Sequence, residues 1–262
     1  MIYPHQQKAR EYIAEKFRQE EQVVALLFVG SIQHKFHDEN SDIDMIIVLT
    51  NEAYAKRIAE NHVHYYESAE QFYKGGYFDG HCFNLEYFQI ASERANEPTR
   101  FYLHDAEVVF DHSNTIRRYI DMISIYDTER IREKTMRFLS QLEGWKWYFD
   151  EAHKKNNRYL MDLATSKMIL FSARLILVDN KMFFPYHKWL LKCLEKAPRK
   201  PDGILRSIDK LLVDRTQEGV EELVGMIRSH KVWTNEPFNW CNHFINDIET
   251  LWMRQEEFIE NI

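Results

Sequence analysis

The hydrophobic pattern changes character once along this chain. In residues 6–20, Ala9, Tyr12, Ile13 and Phe17 recur at helical spacing between charged positions, which predicts an amphipathic helix. Residues 22–29 and 43–48 are short, dense aliphatic runs joined by a polar loop, and they predict two buried strands. Residues 51–61 read as a helix. In the aromatic-rich stretch 75–88, Asp79-Gly80 reads as a hairpin turn, with the alternating residues 81–89 as the second arm. Residues 91–98 form a short helix or loop, 105–111 a further strand and 114–124 a helix. From there on every periodic segment is helical: 128–151, 156–178, 186–196 behind Pro185, 204–213, 216–230 and 238–257. The shift near residues 112–126 predicts an α+β chain. A mixed sheet flanked by helices would occupy residues 1–120, and an all-helical bundle residues 121–262.

The two aliphatic runs end in polar residues of a particular kind. The first, Leu26-Leu27-Phe28-Val29, runs into Gly30-Ser31; the second opens as Ser41-Asp42-Ile43-Asp44 and continues Met45-Ile46-Ile47-Val48. Strand side chains alternate, so Asp42 and Asp44 share a face while Ile43 points the other way. Two carboxylates held that close repel, and a cation between them removes the conflict. An oxygen pair of this type suits Mg²⁺, which binds through one or two carboxylates together with substrate phosphates. The Gly-Ser turn supplies the complement: glycine lets backbone approach a phosphate, and N–H groups and the hydroxyl hold its oxygens.

Gly30-Ser31, the twelve positions from Gly30 to Asp42, and Asp42-Ile43-Asp44 with its aliphatic run together resemble the polymerase-β-type nucleotidyltransferase superfamily. The resemblance implies transfer of a nucleoside monophosphate, AMP from ATP, with Mg²⁺ or Mn²⁺ as cofactor. It also implies a third carboxylate on the strand after a hairpin. Glu86 is the candidate, with Asn84 on the same side of the expected strand, where an amide cannot act as a base. Asp42, Asp44 and Glu86 are thus the expected catalytic and metal-binding set. Gly30, Ser31, Ser41 and Lys188 are the expected nucleotide-binding residues. The loop 32–40 lacks the Arg and Gly that the family often carries there and offers His34 and Lys35 as its cations. The helical half, including Phe183-Phe184-Pro185-Tyr186-His187-Lys188-Trp189-Leu190-Leu191, resembles the substrate-side domain of kanamycin and other aminoglycoside nucleotidyltransferases, which implies a small-molecule hydroxyl as acceptor. The rival readings are a protein or RNA acceptor, or a non-catalytic nucleotide-binding module.

Composition narrows the partners. A net charge of −7 without a basic block argues against nucleic acid, whose phosphates demand clustered Lys and Arg, and leans toward a small, cationic acceptor. Cys82, Cys193 and Cys241 are far apart and odd in number, so the reading is reduced cysteines in a cytoplasmic protein, with neither a disulfide framework nor a membrane segment. A monomer or homodimer is expected.

Overall fold

In the computed structural model, residues 2–235, 238–254, 258–260 and 262 are described. The chain divides into two compact units, Met1–Ile125 and Tyr126–Ile262. Unit one is a five-stranded mixed sheet with helices on both faces. In chain order it runs α1 (Pro4–Arg18), β1 (Val23–Phe28), α2 (Gly30–Gln33), β2 (Ile43–Leu49), α3 (Asn51–Ala59), β3 (His64–Ser68), β4 (Tyr77–Phe83), α4 (Leu85–Arg94), α5 (Glu97–His104), β5 (Glu107–Asp111) and α6 (Ile116–Ile123). The sheet order is β3-β4-β2-β1-β5. Strand β1 lies antiparallel to both β2 and β5, β3 antiparallel to β4, and β2 parallel to β4.

The period-2 alternation of β2 places the core. Ile43, Met45, Ile47 and Leu49 face one way and pack with Ala9, Ile13 and Phe17 of α1 and with Phe78 and Cys82 of β4. Ile46 and Val48 face the other way and pack with Phe88 and Ala91 of α4, Leu103 of α5 and Ile116 and Ile120 of α6. Asp42 and Asp44 have the parity of Ile46, so they stand on this second face. Because β2 and β4 are parallel and β1 antiparallel, the end of β1 and the starts of β2 and β4 share one sheet edge.

The expected turn at Asp79-Gly80 is not formed. These residues lie inside β4, and the connection from β3 runs through residues 69–76, ending at Gly75 with φ +73° and Gly76. Nor does a strand run to residue 89. Asn84 caps α4 by accepting from the Tyr87 N–H at 3.3 Å, and Glu86 falls in the first helical turn. An Asn followed by apolar residues at 85, 88 and 91 favours helix over strand, because its side chain satisfies an N–H that a helix start leaves unpaired.

Unit two is helical: α7 (Ile131–Lys154), α8 (Arg158–Asp179), α9 (Tyr186–Lys196), α10 (Ile204–Asp214), α11 (Gln217–His230), α12 (Trp240–Ile248) and a 3₁₀ turn at Leu251–Met253. The final helix expected to reach residue 257 thus stops at Ile248, and positions 255–257 lie outside the described residues. Helices α7 and α8 form a hairpin through Asn156, left-handed at φ +50°, and Asn157, which caps α8. Helix α12 crosses α7 at Gly144, where a Cβ would come within 2.1 Å of the Phe244 ring, and Asp247 accepts from the buried Arg137 guanidinium at 2.8 Å. No helix among the described residues is long and apolar enough to cross a membrane.

The α7–α12 crossing gives a direct test. Gly144→Ala gains about 1 kcal/mol of helix propensity but overpacks Phe244, which typically costs about 1–3 kcal/mol. Displacing a ring 2.1 Å away puts the cost near the upper end. The variant should unfold at lower denaturant concentration by tryptophan fluorescence, which reports this unit alone because all six tryptophans lie in it. An unchanged or higher midpoint would contradict the crossing.

Candidate active site

The shared sheet edge gathers three carboxylates. Asp44 and Asp79 are register partners across the parallel β2–β4 pair, and Asp42 precedes Asp44 by two positions on the same face. One oxygen from each of Asp42, Asp44 and Asp79 lies within 4.8 Å of the others, and all three side chains are half-buried. The residue that completes the group is therefore Asp79 rather than Glu86, which is exposed on α4. The signal for Asp79 was present in the sequence: Tyr77, Asp79 and His81 alternate with Phe78, Gly80 and Cys82, a strand pattern that the Asp-Gly pair obscured.

Gly30 and Ser31 meet this group from β1. Gly30 begins the four-residue helix α2 with φ +73°, and a Cβ there would sit 1.9 Å from Asp44 Oδ2. Glycine is required twice, for the left-handed backbone and for the approach of the carboxylate. The Ser31 N–H donates to Asp44 Oδ2 at 3.3 Å, and the Val29 N–H donates to the Asp44 carbonyl at 3.0 Å. The Ser31 hydroxyl is buried and has no hydrogen-bond partner among the described residues. A buried hydroxyl left in that state costs about 1–3 kcal/mol, and a ligand oxygen would relieve it.

The loop between the two halves of the motif is pinned from α1. Gln6, fully buried, donates through Nε2 to the carbonyls of Asp38 at 2.9 Å and Ser41 at 3.1 Å. The Tyr73 hydroxyl donates to the Ser41 carbonyl at 2.9 Å. Ser41 Oγ accepts the Asp38 N–H at 2.9 Å and so closes the turn that delivers Asp42. Of the loop cations, Lys35 is exposed, and buried His34 turns its Nδ1 to Asp105 at 3.1 Å. Lys188 belongs to α9 of the second unit, its ammonium 5.1 Å from the Trp189 ring. Neither Gln6 nor Tyr73 carried a sequence signal, since their partners are more than 30 residues away.

Burial and the carboxylate charge together raise the nearby phenols. A hydrogen bond to Asp42 and its charge push the Tyr77 hydroxyl up to about 12. Burial and the charge of Asp42 raise Tyr73 to about 12, and burial, then Asp44, raises Tyr102. Asp79 Oδ1 lies 2.9 Å from His64 Nε2. An oxygen-only donor set of converging like charges, beside an unpartnered buried hydroxyl, fits a hard divalent cation and a phosphate.

Comparison with known proteins agrees with this geometry. The family model described as nucleotidyltransferase domain matches residues 10–159, more than half of the chain. That span covers the sheet edge and extends through α7. A crystal structure of a nucleotidyltransferase-like protein from Exiguobacterium sibiricum 255-15 is similar at 9% identity and a TM-score of 0.44, over 96% of this chain and 81% of that one. No curated protein matches the chain. From the match over residues 10–159, the chain belongs to the nucleotidyltransferase domain family, and its activity class is that of a nucleotidyltransferase.

Proposed function

We propose that this protein transfers a nucleoside monophosphate, AMP from ATP, to a hydroxyl of a small, cationic, aminoglycoside-like molecule, with Asp42, Asp44 and Asp79 holding Mg²⁺ or Mn²⁺. The observation that carries the reading is the convergence of three carboxylates on the Gly30-Ser31 turn. When bound, the divalent ion offsets charge on the phosphate oxygens. The Gly30-Ser31 turn binds the terminal phosphates of the nucleotide, and the Ser31 hydroxyl donates to one of their oxygens. Asp79 accepts the proton of the acceptor hydroxyl as its oxygen bonds to the α-phosphorus. The bond from that phosphorus to the bridging oxygen breaks, and pyrophosphate leaves with the electron pair. Such a site works by positioning and fixed charge. The net charge of −7 favours a cationic acceptor over nucleic acid. In this reading the helical unit selects the acceptor, whereas Glu86, Ser41 and Lys188 have no catalytic part.

Transfer of label from α-³²P-ATP tests the reaction. Aminoglycosides should accept the label, while label on a protein or RNA instead would assign the acceptor to that class. Asp42→Asn, Asp44→Asn and Asp79→Asn should each lower turnover by about a hundredfold or more, several kcal/mol of charge stabilisation. Glu86→Gln should stay within about twofold of the parent, as surface changes do. Full activity in Asp79→Asn together with loss in Glu86→Gln would return the third role to Glu86.

Ser31→Ala separates binding from folding. Removing an unsatisfied buried hydroxyl should leave the nucleotide-free protein as stable or more stable, while losing a bond to a charged phosphate, about 1.5–3 kcal/mol, should weaken ATP binding about 10- to 100-fold. Calorimetry and ATP titration would read the two effects, and unchanged ATP affinity would remove Ser31 from the phosphate site.

A further inference from the structure

A second cluster on the same unit differs from the first in donor chemistry. His34 follows α2, His104 ends α5 and Asp105 follows it. One ligand atom from each lies within 4.8 Å of the others. Asp105 Oδ2 stands 3.1 Å from His34 Nδ1 and 3.3 Å from His104 Nε2. A tetrahedral ion with bonds of about 2.0–2.1 Å separates its ligand atoms by about 3.3 Å, so both spacings match two edges of such a site.

The orientation of His104 adds an independent argument. Its Nδ1 lies 2.8 Å from the Phe101 carbonyl, which can only accept, so Nδ1 carries the proton. That leaves Nε2 as the ring nitrogen turned toward Asp105 Oδ2, so the two ligand atoms converge on one point. An imidazole whose far N–H donates to a backbone carbonyl is also the usual arrangement of a metal-bound histidine. His34 is held in place as a ligand would be, buried and stacked 4.2 Å from the Phe101 ring. Asp105 is about half exposed, which leaves an entry path and room for a further ligand.

We propose that His34, His104 and Asp105 form a second metal site, which takes Zn²⁺ rather than Mg²⁺ because imidazole nitrogens suit transition metals and hard cations prefer oxygen. The site clips α2 to the end of α5. The His34 N–H donates to the Gly30 carbonyl at 3.2 Å, so the clip bears on the helix that presents Ser31. An ion there acts as a structural brace for the phosphate-binding turn and takes no part in transfer.

The test uses the full chain as a Cys241→Ser variant, because an exposed thiol also binds Zn²⁺, with millimolar Mg²⁺ present to occupy the carboxylate site. One equivalent of Zn²⁺ should bind, and Co²⁺ in its place should give the visible absorption of a low-coordinate nitrogen-oxygen site. His104→Gln and Asp105→Asn, both outside the buried core, should each weaken Zn²⁺ at least tenfold and lose the Co²⁺ band, with unchanged far-ultraviolet circular dichroism. Asp42→Asn should leave both intact. The proposal is overturned if no Zn²⁺ binds, if binding survives both His104→Gln and Asp105→Asn, or if it follows Asp42 instead.

Discussion

The contact on which the site depends is the approach of the Asp44 carboxylate to the backbone of Gly30. A side chain at position 30 would need to begin 1.9 Å from Asp44 Oδ2, inside any van der Waals contact, at a backbone angle of φ +73° that L residues rarely adopt. With glycine there, the first turn of α2 closes over the carboxylate and the Ser31 N–H donates to it at 3.3 Å. The Gly30-Ser31 turn and the strand that carries the carboxylates therefore meet at one atom, Asp44 Oδ2. Either moved by an ångström would lose the other.

The rest of unit one secures that contact. Antiparallel β1 and parallel β4, on either side of β2, bring a strand end and two strand starts to one edge, so Gly30, Asp44 and Asp79 meet without a long loop between them. Gln6 and Tyr73 tie down the intervening segment through backbone carbonyls, which fixes Asp42 without occupying its carboxylate. Three clustered carboxylates repel when nothing is bound. The protonated Tyr77 phenol, hydrogen-bonded to Asp42, offsets part of that repulsion, and its raised pKa is the reciprocal effect of the same charge.

Unit one thus carries two clusters that differ in ligand atoms. Asp42, Asp44 and Asp79 offer oxygen alone, the donor set of hard cations that keep water and phosphate in their shell. His34, His104 and Asp105 offer two nitrogens and one oxygen, with one imidazole anchored to a backbone carbonyl. Helix α2 links them, since Ser31 near its start faces the first and His34 at its end belongs to the second.

How much of this was legible in the sequence follows from the range of each interaction. Local periodicity was sufficient for α1, β1, β2, β5 and helices α7 to α11, because alternation and helical spacing are set by residues only a few positions apart. The Gly-Ser and Asp-x-Asp pair was also readable, as the first follows one well-patterned strand and the second opens the next, where parity puts the carboxylates on one face. The third carboxylate was not. Asp79-Gly80 carries the local chemistry of a turn, yet pairing with Tyr66 of β3 and Asp44 of β2 on its two sides holds it in mid-strand. Glu86 has strand-like neighbours, yet the cap at Asn84 starts a helix one residue before it. By itself the sequence determined the two strands, the Gly-Ser turn and the acidic pair. Only the tertiary structure decided which acid completes the group, because cross-strand hydrogen bonds between segments about 35 residues apart override a two-residue turn preference.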